Sequence, residues 1–377
     1  MKLAYLSSST LPSTAANSVH VMKMCQAFGA IGHQVTLIAP DKPSDLPTVS
    51  DLYAFYGVQP CFDVSKLVWA NIKGRAYLYG VLAGWRARQL KADLAFGRNL
   101  TACVAACMLG LPTIFESHAP IEDSGRVATF LFKRLIRNRK FQSLVVITHS
   151  LADYYLQRYP ELAGKIQVAA DGADPVGPDV RPAVFNHEAA ERLQVGYVGH
   201  LYQGRGIDVI EAMAQRLPWA DFHVVGGTPV DIEACRGRVN GLSNFFVHGY
   251  MSPVQAERYR LACDVLLAPY QESVSVSGNT GNTVQWMSPL KVFEYMAAGK
   301  AIICSDIPVL REVLEDGRNA VLCPPAVIDN WTSALQSLRD DPALMHSLGR
   351  AALADFDAQY SWFSRAGNIL RSYPSAR

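Results

Sequence analysis

The stretch Ser288-Pro289-Leu290-Lys291-Val292-Phe293-Glu294-Tyr295-Met296-Ala297-Ala298-Gly299 has the residue types to hold an anion beside a polyol. Pro289 suits the first position of a helix, where a missing N–H costs nothing and φ is already set. Gly299 suits the position that ends it. The first turn of such a helix presents free amides and partial positive charge, which phosphate oxygens satisfy. Ser288 and the N–H groups of Leu290 and Lys291 are the expected phosphate ligands, with Pro289 lining the turn without a donor. Glu294 lies about a turn and a half further in, too deep to cap the helix, where it can accept hydrogen bonds from hydroxyls. A diphosphate beside a sugar-binding carboxylate suggests a nucleotide-sugar site.

Other candidates stand where strand-like runs end. Gly199-His200-Leu201-Tyr202-Gln203-Gly204-Arg205-Gly206 follows Gln194–Val198 and precedes a helix from Ile207. That placement strengthens a glycine pattern that is weak by itself. His118 closes Phe115-Glu116-Ser117-His118-Ala119-Pro120, with Glu116 placed to orient it or to cap the loop. Arg98 and the pair His248-Gly249 occupy equivalent places. Asn17 with Ser18 is set to cap a helix from Val19. No His-Glu-x-x-His, Walker loop or Gly-x-Ser-x-Gly is present, and no metal is expected.

The elements that must position these residues read as two βα series. Apolar runs at Leu3–Leu6, Val35–Ala39, Leu94–Phe96, Thr113–Phe115 and Leu144–Ile147 alternate with helical stretches, the pattern of a parallel sheet buried on both faces. Asp174–His187, with Pro175, Pro178 and Pro182, reads as a linker. A second series follows at Gln194–Val198, Phe222–Gly226, Phe245–Val247, Val265–Ala268 and Ala301–Ile303. The expected fold is α/β, with two Rossmann-like domains and the ligand in a central cleft between them. The first domain covers 1–180 and the second 190–358. Gln271–Met287, rich in Ser, Gly, Asn and Thr, reads as a flexible insertion, with a lid over the donor as its functional reading.

From about Val195 to Pro325 most specifically, and over nearly the whole chain more loosely, the sequence resembles the retaining, family-four-type glycosyltransferases of the GT-B fold. Glu294-Tyr295-Met296-Ala297 matches the second half of that family's donor signature; Trp286 stands where its first Glu is usual. The resemblance implies that Glu294 binds ribose hydroxyls, that His118 positions the donor sugar, and that the backbone at His248 and Gly249 meets the base. It places His200 and Arg205 where the family's glycine loop carries Arg and Lys, so that Arg205 charges against the leaving diphosphate. It likens the loop around Asn17 to the family's glycine-rich loop against the donor phosphates, with Ala16 and Asn17 in place of its glycines. It also implies that residues 360–377 pack back on the first domain. The implied activity is transfer of a sugar, with retention, from a nucleoside-diphosphate sugar to a glycan, a lipid-linked or a small-molecule acceptor. An epimerase, a nucleotide-sugar hydrolase and a non-catalytic partner subunit remain as alternatives. A dinucleotide-dependent oxidoreductase fits least, because the first loop lacks Gly-x-Gly-x-x-Gly.

Composition agrees. The chain has 377 residues, half of them hydrophobic, enough for two domains. A net charge of +2 gives no sign of a nucleic-acid partner. Residues 1–175 hold 18 Lys/Arg against 12 Asp/Glu, and the remainder 17 against 21. With the aromatic and basic residues of Trp69–Lys91 and Lys133–Lys140, this gives the first half the means to touch an anionic membrane. No run reaches the length of a membrane span, and the expected place is the cytoplasm, or the inner membrane face. The eight cysteines sit mostly in apolar runs without a Cys-x-x-Cys pair, as small core residues do in a reducing compartment.

Overall fold

The structure, a computed structural model, describes all residues except 45, 47, 186–191, 275–281, 372 and 374–377. The chain divides into two compact units, Met1–Asp171 with Trp362–Arg377, and Gly172–Ser361. The first holds a sheet of β1 (Lys2–Leu6), β2 (Gln34–Asp41), β3 (Asp63–Val68), β4 (Leu94–Gly97), β5 (Thr113–Ser117), β6 (Phe141–Val146) and β7 (Ile166–Val168). Its order is β3-β2-β1-β4-β5-β6-β7. The second holds β8 (Leu193–Val198), β9 (Ala220–Val225), β10 (Phe245–Gly249), β11 (Val265–Ala268), β12 (Ala301–Ser305) and β13 (Val321–Cys323), in the order β10-β9-β8-β11-β12-β13. All pairings are parallel.

In both sheets the first strand lies mid-sheet and the chain reverses direction beside it. The crevice at the carboxyl ends of β1 and β4, and of β8 and β11, is therefore where a doubly wound sheet binds its ligand. The central strands have the sequences that burial on two faces requires: Leu94-Ala95-Phe96-Gly97 and Val265-Leu266-Leu267-Ala268 are wholly buried. In the second unit Tyr197, Phe222, Met213, Trp331 and Leu335 build the core between sheet and helices.

The ten strand-like runs read from the sequence all form strands. Three further strands appear, β3, β7 and β13. Each lies at or next to a sheet edge, and β3 mixes Asp63, Ser65 and Lys66 with its apolar residues, so no continuous apolar run announces it. Two helix starts differ from expectation. The first helix runs Ala16–Ala30 from an Ala15 cap. Asn17 is exposed inside its first turn and does not cap it. The Ser18 hydroxyl instead donates back to the carbonyls of Ser13 and Ala15, at 2.9 and 2.7 Å. The later helix is Leu290–Ala297, with Pro289 as its cap rather than its first residue. Gly299 follows its end at φ +64°, as expected.

The proline-rich segment packs on the second unit, where the Ala183 N–H donates to the Arg258 carbonyl at 2.9 Å; its residues 186 and 187 lie outside the described residues. So does the centre of the expected lid, 275–281. The helix Trp362–Arg371 belongs to the first unit. No helix among the described residues is long and apolar enough to cross a membrane.

Candidate active site

In the second unit the switch point between β8 and β11 gathers Arg205, Tyr197, Tyr270 and Lys291. Lys291 opens the helix Leu290–Ala297, and its side chain is buried. Its Nζ lies 3.8 Å from the centre of the Tyr197 ring and 4.9 Å from that of Tyr270, with no hydrogen-bond partner among the described residues. Burial, and then the neighbouring charge of Arg205, push its ammonium well below the usual lysine range. The Arg205 guanidinium carbon sits 5.3 Å from the Tyr270 ring. Two cations, held by aromatic faces at a helix start whose cap has no side-chain acceptor, make a socket for a multiply charged anion.

The glycine loop is shaped by close approach. A Cβ on Gly206, at φ +75°, would lie 1.8 Å from the Pro269 carbonyl oxygen. A Cβ on Gly199 would lie 3.1 Å from Lys291 Nζ. The loop therefore keeps Arg205 and Lys291 near one another only with glycine at these positions. His200, expected beside the diphosphate, stacks flat on Tyr202, with centroids 4.7 Å apart and planes at 4°. Its carbonyl accepts from the Tyr197 hydroxyl at 2.5 Å.

Glu294 lies in the same helix and is half-buried. One carboxylate oxygen takes a hydrogen bond from the buried Arg260 Nη1 at 3.2 Å. Sequence reading missed Arg260, because its own helix, Pro253–Ala262, is remote in sequence. Ser288 is buried before the helix cap. His248 at the end of β10 pairs its Nε2 with His223 Nδ1 at 2.9 Å, and His223 Nε2 meets Gln194 Oε1 at 2.7 Å. Phe185 stacks on His223, with centroids 3.7 Å apart. Gly249 beside it takes φ +80°, and its carbonyl accepts from the Gly226 N–H at 2.7 Å.

In the first unit His118 follows β5 and rests on a buried ionic cluster. Its Nε2 is 2.5 Å from Glu116 Oε1, and His20 Nε2 is 2.9 Å from the same oxygen. His20 Nδ1 lies 2.9 Å from Asp171. Arg365 sets Nη1 3.2 Å from the other Glu116 oxygen and donates to the carbonyls of Ala169 and Ala170. Burial opposes the charge on Glu116, but Arg365 and His20 outweigh it and hold the carboxyl well below its usual range. Burial foremost, with Arg98 adding to it, pushes His118 down to about 4, although 19% of its side chain stays exposed. A neutral His118 facing an ionised Glu116 must donate from Nε2, which leaves Nδ1 as an acceptor. Glu116 thus does more than either expected role, since it binds three side chains at once.

No metal was expected, yet ligand atoms of His20, Glu116 and His118 lie within 4.8 Å of one another. The spacing suits a divalent cation, but the guanidinium on the second carboxylate oxygen opposes one there. All eight cysteines are free, and all but Cys61 are buried.

Comparison with known proteins follows the same division. A family model described as glycosyl transferases group 1 matches residues 192–341, and one described as glycosyltransferase family 4 matches residues 18–176. The glycogen synthase of Mycobacterium tuberculosis (strain H37Rv) is 23% identical over 402 residues, covering 95% of this chain and 90% of that protein. Sucrose-phosphate synthase from Thermosynechococcus elongatus superposes with a TM-score of 0.73 at 17% identity, over 99% of this chain and 98% of the other. Anabaena HepE in complex with UDP does so at 0.71 and 14% identity, over 99% of each chain. With a group 1 match on one half, a family 4 match on the other and a doubly wound sheet under each, the chain is a glycosyltransferase enzyme of the GT-B fold.

Proposed function

We propose that the enzyme transfers a sugar from a nucleoside-diphosphate sugar to a glycan, lipid-linked or small-molecule acceptor, with retention and without a metal. The observation that carries this reading is the buried, unpartnered Lys291 ammonium beside Arg205 at the start of the helix Leu290–Ala297. Such a charge is costly without a ligand and well matched to a diphosphate. The solved GT-B neighbour that carries UDP makes uracil the first base to test. Glu294, with one oxygen fixed by Arg260, offers the other to ribose hydroxyls.

In this reading the bond between the anomeric carbon and the leaving phosphate oxygen breaks while charge gathers on the diphosphate. Arg205, Lys291 and the first-turn amides meet that charge as it forms. His118 accepts a hydrogen bond from a sugar hydroxyl at Nδ1. Glu116 is enclosed and spent on His20, His118 and Arg365, so it is a poor nucleophile. That favours attack on the face the phosphate leaves, with the departing phosphate oxygen taking the acceptor's proton. Exposed Tyr77, Val81 and Trp85, spaced at one per turn on the helix Arg75–Gln89 with Arg86 and Arg88, support contact with a membrane surface.

Thermal shift against UDP, GDP, ADP and their sugars tests the donor. Arg205→Ala and Glu294→Ala are each expected to cut turnover at least about tenfold while the fold survives. Near-normal rates in both sink the reading, and sugar released at the full rate without acceptor makes the enzyme a hydrolase or epimerase instead.

A further inference from the structure

The carboxyl ends of β2 and β3 carry cations that the donor site does not use. Lys42 follows β2, donates from Nζ to the Ser8 carbonyl at 3.0 Å, and sits 4.4 Å from the centre of the Trp69 ring. Arg75 sets its guanidinium carbon 5.4 Å from that same ring, its Nη1 donating to Asn71 Oδ1 at 3.0 Å. Lys66, on β3, reaches the same loop after β1, donating to the Leu11 carbonyl at 2.9 Å. None of the three has a carboxylate partner among the described residues.

Stapling the loop would need only neutral donors. Here burial and the charge of Arg75 both work against the Lys42 ammonium, so the arrangement costs free energy until an anion arrives. Each ammonium spends one donor on a carbonyl and keeps others to give. Trp69 holds the two nearer charges at one ring and is itself set edge-on against the buried Tyr79, 6.0 Å away. The group stands at strand carboxyl ends, where open α/β sheets take ligands. Exposed Val68 and Ile72 flank Trp69 in sequence and offer apolar contact next to the charge.

We propose that Lys42 and Arg75, with Lys66 on the same loop, form a subsite for a phosphate group on the acceptor. Calling the ligand the acceptor rests on the glycosyl-transfer reading; the phosphate site itself does not. The test titrates the full chain with glycerol phosphate against glycerol, by tryptophan fluorescence, and in parallel sediments it with phosphatidylcholine vesicles, plain or doped with phosphatidic acid. Wild type is expected to prefer the phosphate-bearing probe. Lys42→Gln/Arg75→Gln should weaken it at least about tenfold, with UDP affinity unchanged. Retention on doped vesicles with weak soluble binding identifies a lipid-borne phosphate; the reverse identifies a free one. Should the double variant fold poorly, Arg75→Gln alone serves, because that side chain is exposed and donates to the side chain of Asn71 beside the Trp69 ring. Equal binding of glycerol and glycerol phosphate, or full binding by the variants, overturns the proposal. Loss of UDP affinity in the variants also overturns it, by assigning the cations to the donor. Failure of wild type to bind any nucleoside diphosphate defeats the donor reading and leaves the phosphate result standing.

Discussion

Lys291 sets a lysine ammonium against two phenol rings and an arginine, with no salt-bridge partner among the described residues and only a weaker, opposing pull from Glu294. In the free protein that charge is a burden. Lys291→Met should raise stability by about 1–3 kcal/mol while weakening UDP at least about tenfold, read by thermal melting and calorimetry. The sign with pH follows. The folded-state pKa lies below the unfolded one, so the folded chain binds fewer protons and stability rises as pH climbs between the two. A bound diphosphate raises that pKa again, so UDP binding should take up protons and weaken as pH increases; calorimetry in buffers of different ionisation enthalpy measures the uptake. His118 behaves alike at lower pH. Its depression to about 4 means stability falls as pH drops from about 6.5 toward 4, by at most about 1.4 kcal/mol per pH unit. His118→Gln should flatten that interval in urea titrations and keep the loss below about pH 4.5 that comes from Glu116. At this scale the sequence placed Arg205 and His118 at strand ends and Glu294 within the helix Leu290–Ala297, but not their partners. Arg260, Asp171 and Arg365 come from remote elements, and no local spacing links them to Glu294, His20 or Glu116.

At the level of elements, the helix Leu290–Ala297 is moored to β8 through one side chain. The Tyr295 hydroxyl accepts from the Val198 N–H at 2.8 Å and donates to the Val198 carbonyl at 3.3 Å. Tyr295→Phe leaves two buried backbone groups unanswered and should cost about 1–3 kcal/mol, seen as a lower urea midpoint at constant m. Turnover should fall too, since the first-turn amides lose their fixed distance from the loop at Gly199. Central strands were legible because burial on both faces demands unbroken apolar runs. Among the edge strands, Asp63–Val68 escaped because a half-exposed strand mixes polar residues among its apolar ones, whereas Phe245–Gly249 was read from its apolar start. Helix starts were misread by a few residues where the deciding bond is local, as with the Ser18 hydroxyl and its backward acceptors.

For the molecule as a whole, the first unit depends on its last helix. Arg365 supplies the fixed charge against Glu116, deep below the surface and 249 residues away in sequence. Arg365→Met should cost about 3–5 kcal/mol, because it leaves a carboxylate buried with its guanidinium gone; chemical denaturation reads the loss, and Arg365→Met/Glu116→Gln should recover part of it. Two sheets with parallel strands could be read from the chain, and so could their sequence of βα units. The return of the chain's end to the first unit was legible only through the family resemblance, and its coupling to β5 was not, since nothing in the spacing of Trp362–Arg371 names Glu116.

That coupling dictates an order of events at the ribosome. Gly172–Ser361 is threaded between the two parts of the first unit, so the later unit leaves the exit tunnel complete while the earlier one still waits for its closing helix. Until Arg365 emerges, the nascent amino-terminal half holds Glu116 without its guanidinium, and chaperone dependence should concentrate in that interval of synthesis.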